Sequence, residues 1–275
     1  MRKRLCCLLF VLLFLCSLVS CGKEDDTLRV TVLDAGQGDC ILISQGESHI
    51  LVDTASGALS GDVIAQLRVL GVKRLDMLLI THLHEDHNGN ARVLLEMFRP
   101  DVLIVPKTDA NERDHDVLLE CAKESEVFVK TVADGWSFTL GNALCTVVKP
   151  MEESKDENDE SLVLRVVFGT QSFLFMADVE KTGEECLISR YGASFLDCDF
   201  LKVGHHGTKD ATTDAFLSIT TPRFAAISAG KENRYGLPDG ETLARLDAYG
   251  VMTYRTDKDG MLSFISDGRE IRYDG

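Results

Sequence analysis

From residue 28 onward the chain is a series of short apolar runs broken by glycines and charged turns. Runs of four to six apolar residues bounded in this way read as strands, and longer stretches with apolar residues three and four apart read as helices. The first half predicts strands at 28–33, 40–44 and 50–52, then a helix over 61–70 closed by Gly71. A glycine there suits the left-handed residue that ends many helices. Strand 77–80, helix 88–98, strand 102–105, helix 113–125 and strand 127–132 follow. The second half repeats the order, with strands at 137–140, 143–148, 162–168 and 172–176 and a helix over about 180–191. Strand 200–203, helix 214–219, strand 224–228, helix 241–249 and two last strands near 251–254 and 261–265 complete it. Two sheets packed face to face with helices outside would satisfy the pattern as one domain, and two separate α+β domains are the alternative. The acidic run 152–160 reads as a solvated loop and is the one plausible internal boundary.

Residues 1–27 follow different rules. Arg2, Lys3 and Arg4 precede a fifteen-residue apolar stretch, 5–19, which is short for a hydrocarbon core of about 30 Å. Its end, Leu18-Val19-Ser20-Cys21, resembles a bacterial lipobox. That likeness implies a lipoprotein signal peptide over 1–20, lipidation at Cys21, a polar tether over 21–27 and an extracytoplasmic chain anchored to the cell membrane. A plain secretory signal or an uncleaved anchor are the alternatives.

Composition narrows the function classes. Hydrophobic residues make up 45% and charged residues 27%, enough apolar material for a core and too much for a disordered chain. The formal charge is -15, and loss of the three basic leader residues takes it to -18. Such a chain has no global attraction for nucleic acid or anionic lipid, so any bound phosphate needs local help. Beyond the leader and Cys21, five cysteines remain, Cys40, Cys121, Cys145, Cys186 and Cys198. Their odd number and wide spacing predict buried thiols, not a disulfide framework.

The sharpest chemical signal is Thr81-His82-Leu83-His84-Glu85-Asp86-His87-Asn88-Gly89. Three of the seven histidines fall here, directly after an apolar strand. Residues two apart in extended chain project to one side, so His82 and His84 can grip one ion. Asp86 and His87, on the turn into a helix, can reach a second. Two ions held close can share a hydroxide, a strong nucleophile near neutral pH. Asp178, at the end of the strand 172–176, reads by itself as a helix N-cap. His205 and His206 sit at another strand end.

The His-x-His-x-Asp-His segment resembles the defining motif of the metallo-β-lactamase fold superfamily. Further elements resemble its competence-protein ComEC-type branch: Asp34-Ala35-Gly36-Gln37-Gly38-Asp39, Leu51-Val52-Asp53-Thr54, the segment 158–165, Asn233-Arg234-Tyr235-Gly236-Leu237-Pro238 and Arg255-Thr256-Asp257. The likeness spans about 28–264 and implies one α/β domain over 28–275, a four-layer αββα sandwich with metals at one edge. It implies two divalent ions, zinc by default with manganese or iron allowed. His82 and His84 would hold the first, Asp86, His87 and His205 the second, and Asp178 would bridge. His206 would then stand behind the ligands or touch substrate, although the two neighbours could be reversed. Asp39 would orient a ligand histidine or serve only the turn, and Asp53 has the same two readings.

Two positions depart from the family pattern. The interval in which well-studied members place a third first-metal histidine holds only His115, in a predicted helix. Leu237 stands where relatives often carry histidine. Lys202, Lys209 and Arg234 are the nearest basic residues to the motifs, available for a phosphate or for surface ion pairs. The resemblance implies a metallo-hydrolase, most simply a phosphodiesterase acting on DNA or on a cell-envelope phosphoester such as teichoic acid through a metal-bridging hydroxide. A β-lactam or thioester hydrolase of the same fold and a non-catalytic binding lipoprotein are the alternatives. No protein partner is expected.

Overall fold

The computed structural model describes residues 26–106, 112–151, 154 and 156–275. The segment expected as a signal peptide, Cys21 and the expected tether up to residue 25 lie outside the described residues. Among the described residues no helix is long and apolar enough to cross a membrane.

Fifteen strands form among the described residues. In chain order they are β1 (Leu28–Val32), β2 (Ile41–Gln45), β3 (Ser48–Val52), β4 (Met77–Leu79), β5 (Val102–Val105), β6 (Phe128–Thr131), β7 (Trp136–Leu140) and β8 (Ala143–Val148). They continue with β9 (Val163–Phe168), β10 (Gln171–Phe175), β11 (Phe200–Lys202), β12 (Phe224–Ile227), β13 (Met252–Arg255), β14 (Leu262–Ser266) and β15 (Ile271–Tyr273). One sheet runs β15-β14-β1-β2-β3-β4-β5-β6 and the other β13-β12-β11-β10-β9-β8-β7. In each, a run of antiparallel pairs gives way to three parallel pairs, β3 to β6 in the first and β10 to β13 in the second.

Three apolar cores separate four layers, which makes the molecule an αββα sandwich. The central core joins facing sides of both sheets, with Val30, Ile43, Ile50 and Val52 against Phe173, Phe175, Phe200 and Phe224. Leu42, Leu51 and Leu78 turn to the opposite face and pack under the helices Ser60–Val69, Ala91–Phe98 and Glu112–Glu124. On the far side Leu174, Leu201 and Ala225 meet the helices Lys181–Tyr191, Asp214–Thr220 and Gly240–Ala248. Strands covered on both faces need apolar residues throughout, which explains their unbroken runs in the sequence.

The predicted elements appear with small shifts, and three differences have physical causes. The helix expected over 88–98 is split into one turn, Glu85–Asn88, and the helix Ala91–Phe98. The break arises because the Asn90 side chain donates to the carbonyls of Thr54 and Ser56, drawing the chain toward the end of β3. The helix expected from 180 starts at Lys181, with the Glu180 amide held by the Asp159 carboxylate. The unforeseen β15 is a three-residue hairpin arm closed through Asp267 and Gly268.

One ion pair bonds the two sheets at the edge where the parallel strands end. Lys202, the last residue of β11, places Nζ 2.9 Å from Asp39 Oδ1, just before β2, and both side chains are almost fully buried. Lys202 therefore neither holds a phosphate nor forms a surface ion pair. We expect Lys202→Met, which leaves a buried carboxylate without its cation, to lower the unfolding free energy by about 3–5 kcal/mol in urea titration. A loss below ~1 kcal/mol would show that the pair does not clamp the sheets.

Glu184 performs a related task within the outer helix layer. Its buried carboxylate accepts from the amides of Thr212 and Thr213 and from the Thr213 hydroxyl, fixing the loop beyond His206. Burial pushes its carboxyl up to about 7 despite those donors. A carboxyl raised by folding adds stability below its unfolded value, and that stability is lost as pH climbs through about 7. Thermal midpoints at pH 5 and pH 8 should therefore fall less steeply in Glu184→Gln than in the parent, and parallel midpoints would exclude this assignment.

Candidate metal centre

The site is built where β3, β4, β10, β11 and β12 end at a common edge. Parallel strands direct their outgoing loops to one side, which makes this edge the natural place for a ligand. β4 runs into His82, His84 and the turn that bears Asp86 and His87. β10 runs into Asp178, and β11 runs into the turn Gly204–Gly207 that carries His205 and His206.

Asp178 is the meeting point. Its Oδ2 lies 3.2 Å from His87 Nε2, 3.6 Å from His205 Nε2 and 3.8 Å from His82 Nε2. Its Oδ1 lies 3.5 Å from His206 Nε2. His206 Nε2 is also 3.6 Å from Asp86 Oδ2, and His82 Nε2 is 3.0 Å from His84 Nδ1. Among the described residues three groups have donor spacing suited to an ion: His82 with His87 and Asp178, Asp86 with His87 and His206, and Asp39 with Asp53 and His87, the last of which is committed to Lys202 and Thr81.

A second layer holds these groups in place. Asp53 accepts from the Thr81 amide and hydroxyl, each at 2.8 Å, and pairs with His87 Nδ1 at 2.8 Å. The Thr81 hydroxyl also meets His82 Nδ1 at 3.0 Å. This leaves Nε2 of both His82 and His87 turned toward Asp178. Such outer partners fix ring orientation and which nitrogen is free. Gly38 lets the Gly36–Asp39 turn reach the Asp86 backbone: a Cβ at Gly38 would overlap the Asp86 carbonyl oxygen, to which the Asp39 amide donates at 3.2 Å.

The electrostatics are those of a cation site. Burial and the neighbouring His87 charge hold His82 well below the usual imidazole range, so it offers a free lone pair. Burial opposes charge on His87 also, but Asp178 and Asp53 outweigh it and push that imidazole well up. His206 is raised to about 9, with burial overcome chiefly by Asp178. Burial works against ionised Asp86, yet His206 and His87 hold its carboxyl down to about 2. Protons on His87 and His206 thus balance the carboxylates, a task a divalent ion would take over by displacing them. His87 Nε2, Asp178 Oδ1 and both ring nitrogens of His206 are buried with no hydrogen-bond partner. Orphaned buried groups of these types, aimed at one another, fit a metal.

The neighbouring histidines occupy places that favour the reverse of the preferred reading. His206 is buried and joins Asp86 and His87. His205 Nδ1 is bound to Glu180 Oε1 at 2.6 Å on the more open side. Asp39, expected behind a histidine, is 3.6 Å from His206 Nδ1 but spends its closer contact on Lys202. His115 belongs to the helix Glu112–Glu124 in an outer layer and is in none of the ion-spaced groups. Beside the first histidine pair stands Glu157 instead, with Oε2 3.6 Å from His84 Nε2 and Oε1 accepting from the Leu83 amide. Nothing in the acidic run distinguished Glu157. His49 pairs with Ser44 across β2 and β3, a structural contact.

Two of the family-like elements serve as braces. Thr256 bonds both the amide and the carbonyl of Ala229 through its hydroxyl. Asp159 accepts from the amides of Glu180 and Gly183 and so holds the segment that follows Asp178.

The profile of the family described as Metallo-beta-lactamase superfamily matches residues 33–231. The chain is 31% identical to ComE operon protein 3 of Bacillus subtilis over 94% of its own length and 35% of that protein's. It is 30% identical to competence protein ComA of Neisseria gonorrhoeae over 93% of its length and 35% of that protein's. The chain thus spans about a third of the curated relatives it matches. Among solved structures, the metallo-beta-lactamase fold protein YhfI of Bacillus subtilis aligns with a TM-score of 0.59 at 13% identity, covering 86% of this chain and 99% of that one. CmlA, a diiron beta-hydroxylase from Streptomyces venezuelae, aligns at 0.53 and 16% identity over 85% of this chain and 53% of that one. These two likenesses concern architecture alone.

Metal analysis of purified variants separates the two histidines. We expect His206→Ala to lose an ion that His205→Ala retains, and Asp53→Asn to weaken metal binding about 10- to 100-fold. Equal loss in both histidine variants would exclude the assignment of His206.

Proposed function

Since the chain belongs to the metallo-beta-lactamase superfamily, we propose that it is a two-metal phosphodiesterase acting on DNA or on a cell-envelope phosphoester. The observation that carries this reading is the convergence of partnerless buried donors from His87, His206 and Asp178, next to the half-open Asp86 and His84. In the proposal, Asp86, His87 and His206 hold one ion, His82 and His84 hold the other, and Asp178 serves both. Zinc suits this nitrogen and carboxylate set, and manganese or iron is compatible with it. When bound, two such ions supply an activated water and neutralise charge on a phosphoryl group.

The chain's own residues set the conditions for that chemistry. Asp53 and Thr81 orient the rings of His87 and His82, so the donors are arranged before substrate arrives. Burial of Asp178 and His87 excludes bulk water from one side of the centre. His84, Asp86 and His205 remain partly exposed, and the substrate would enter past them. The extracytoplasmic, lipid-anchored location through Cys21 belongs to the same proposal and rests on the lipobox-like leader.

The test is hydrolysis of bis-p-nitrophenyl phosphate by the full chain with zinc or manganese, beside an Asp86→Ala, His87→Ala double variant. We expect turnover by the parent and a loss of about a hundredfold or more in the variant. A folded parent that holds two ions and leaves the phosphodiester intact would redirect the search to β-lactams and thioesters. A parent that retains fewer ions and shows no turnover would identify a binding lipoprotein.

A further inference from the structure

A cleft of about 560 Å³ opens beside Asp86, and its lining includes Gln37, Glu85, Lys231, Arg234 and Tyr235. Among the described residues, Lys231 and Arg234 form no ion pair. Arg234 donates instead to the Tyr235 hydroxyl at 2.6 Å, and its guanidinium lies 4.8 Å from the centre of the Tyr235 ring. Tyr235 is 59% exposed. An exposed aromatic and two cations without carboxylate partners thus line one cleft at the mouth of the metal centre.

The loop that presents these side chains is well fixed. Asn233 Nδ2 donates to the carbonyls of Gly230 and Leu237 at 2.9 and 2.6 Å, and its Oδ1 accepts from the Leu237 amide at 3.0 Å. The Gly230 amide donates to Gln37 Oε1 at 3.3 Å, which joins the loop to the glycine turn beneath Asp86. A tip held from below loses little freedom on binding.

We propose that Lys231, Arg234 and Tyr235 form a subsite for a single-stranded polynucleotide, with a base against Tyr235 and neighbouring phosphates at Lys231 and Arg234. The proposal rests on the phosphodiesterase reading and narrows its substrate class. Aromatic platforms flanked by cations suit single strands, because every base has a face to stack and every linkage a charge to hold. A choline headgroup is disfavoured here, because its quaternary ammonium would be repelled by the Arg234 guanidinium 4.8 Å from the ring centre, whereas a neutral base would not be.

The test is fluorescence anisotropy of a labelled, cleavage-resistant phosphorothioate strand of about twelve nucleotides, added to the metal-loaded full chain over a range of salt. A Lys231→Gln, Arg234→Gln variant should bind about tenfold or more weakly and lose about 1.4 from its logarithmic salt slope. Tyr235→Leu should weaken binding about five- to a hundredfold with the slope unchanged. Arg234→Lys should restore the slope. Unchanged affinity in a triple variant, absence of binding by the parent, or displacement of the strand by phosphocholine more readily than by inorganic phosphate would each overturn the subsite. Binding needs no turnover, so the two readings can fail separately. A parent that binds through this loop yet cleaves no phosphodiester would lose the hydrolase and keep the subsite. A parent that cleaves the small diester but holds the strand equally well without these side chains would lose the subsite alone.

Discussion

One buried carboxylate constrains the whole edge of the sandwich. Asp178 lies within 3.2–3.8 Å of four imidazoles, two from the first sheet's loops and two from the second's. An ionised carboxylate with no compensating charge would be very costly at this depth. The fold must therefore bring β4 and β11 to the same edge, in register with the end of β10. The parallel pairing of β10 with β11 sets one half of that geometry and the packing of the two sheets sets the other. The charges on His87 and His206 hold Asp178 well below the ordinary carboxylate range against the effect of burial.

Around this point the polar groups form a connected support and not a set of isolated contacts. Asp53 serves β3, Thr81 and His87 at once. Lys202 and Asp39 clamp the sheets directly behind His206. The glycine turn at Gly38 fits against Asp86 because no side chain intervenes. A buried network of this kind is stable only when every member is satisfied. Here Asp53 and Thr81 are satisfied by one another and by the rings they hold, while His87 Nε2, Asp178 Oδ1 and the His206 nitrogens are left without a hydrogen-bond partner. The pattern separates groups that build the scaffold from groups that could hold a cation.

Much of this was legible in the sequence, for identifiable reasons. The spacing from His82 to His87 carries its own geometry, since alternation along extended chain and a following turn determine which side chains share a side. The strands were legible because both faces of each sheet are covered. The choice between His205 and His206 was not. Both adopt left-handed backbone in a tight turn, with φ of 40° and 54°, so position after a strand says nothing about which ring turns inward. Lys202 gave the wrong impression because a lysine at a strand end normally reaches solvent, and only the Asp39 carboxylate from the other sheet explains its burial. Glu157 was hidden among acidic neighbours whose different roles depend on contacts far away in sequence, with Leu83 and His84.

The absence of a third histidine near the first pair acquires a physical meaning in this setting. Of the His84 nitrogens, Nδ1 faces His82, and Nε2 points toward the Glu157 carboxylate. A carboxylate behind an imidazole fixes its ring. Glu157 thus supports His84 from outside instead of adding a direct donor. The two halves of the proposed centre are consequently unequal. The half around Asp86, His87 and His206 draws on three buried or partly buried side chains besides Asp178, whereas the half around His82 and His84 has two, one of them partly exposed. An ion in the second half would keep more positions open to solvent or substrate, and open positions are what distinguish a catalytic site from a structural one. The cleft begins at Asp86 and runs under Arg234 and Tyr235. A long anionic chain could therefore meet the ions and the cations of the loop together, despite the acidic character of the rest of the surface.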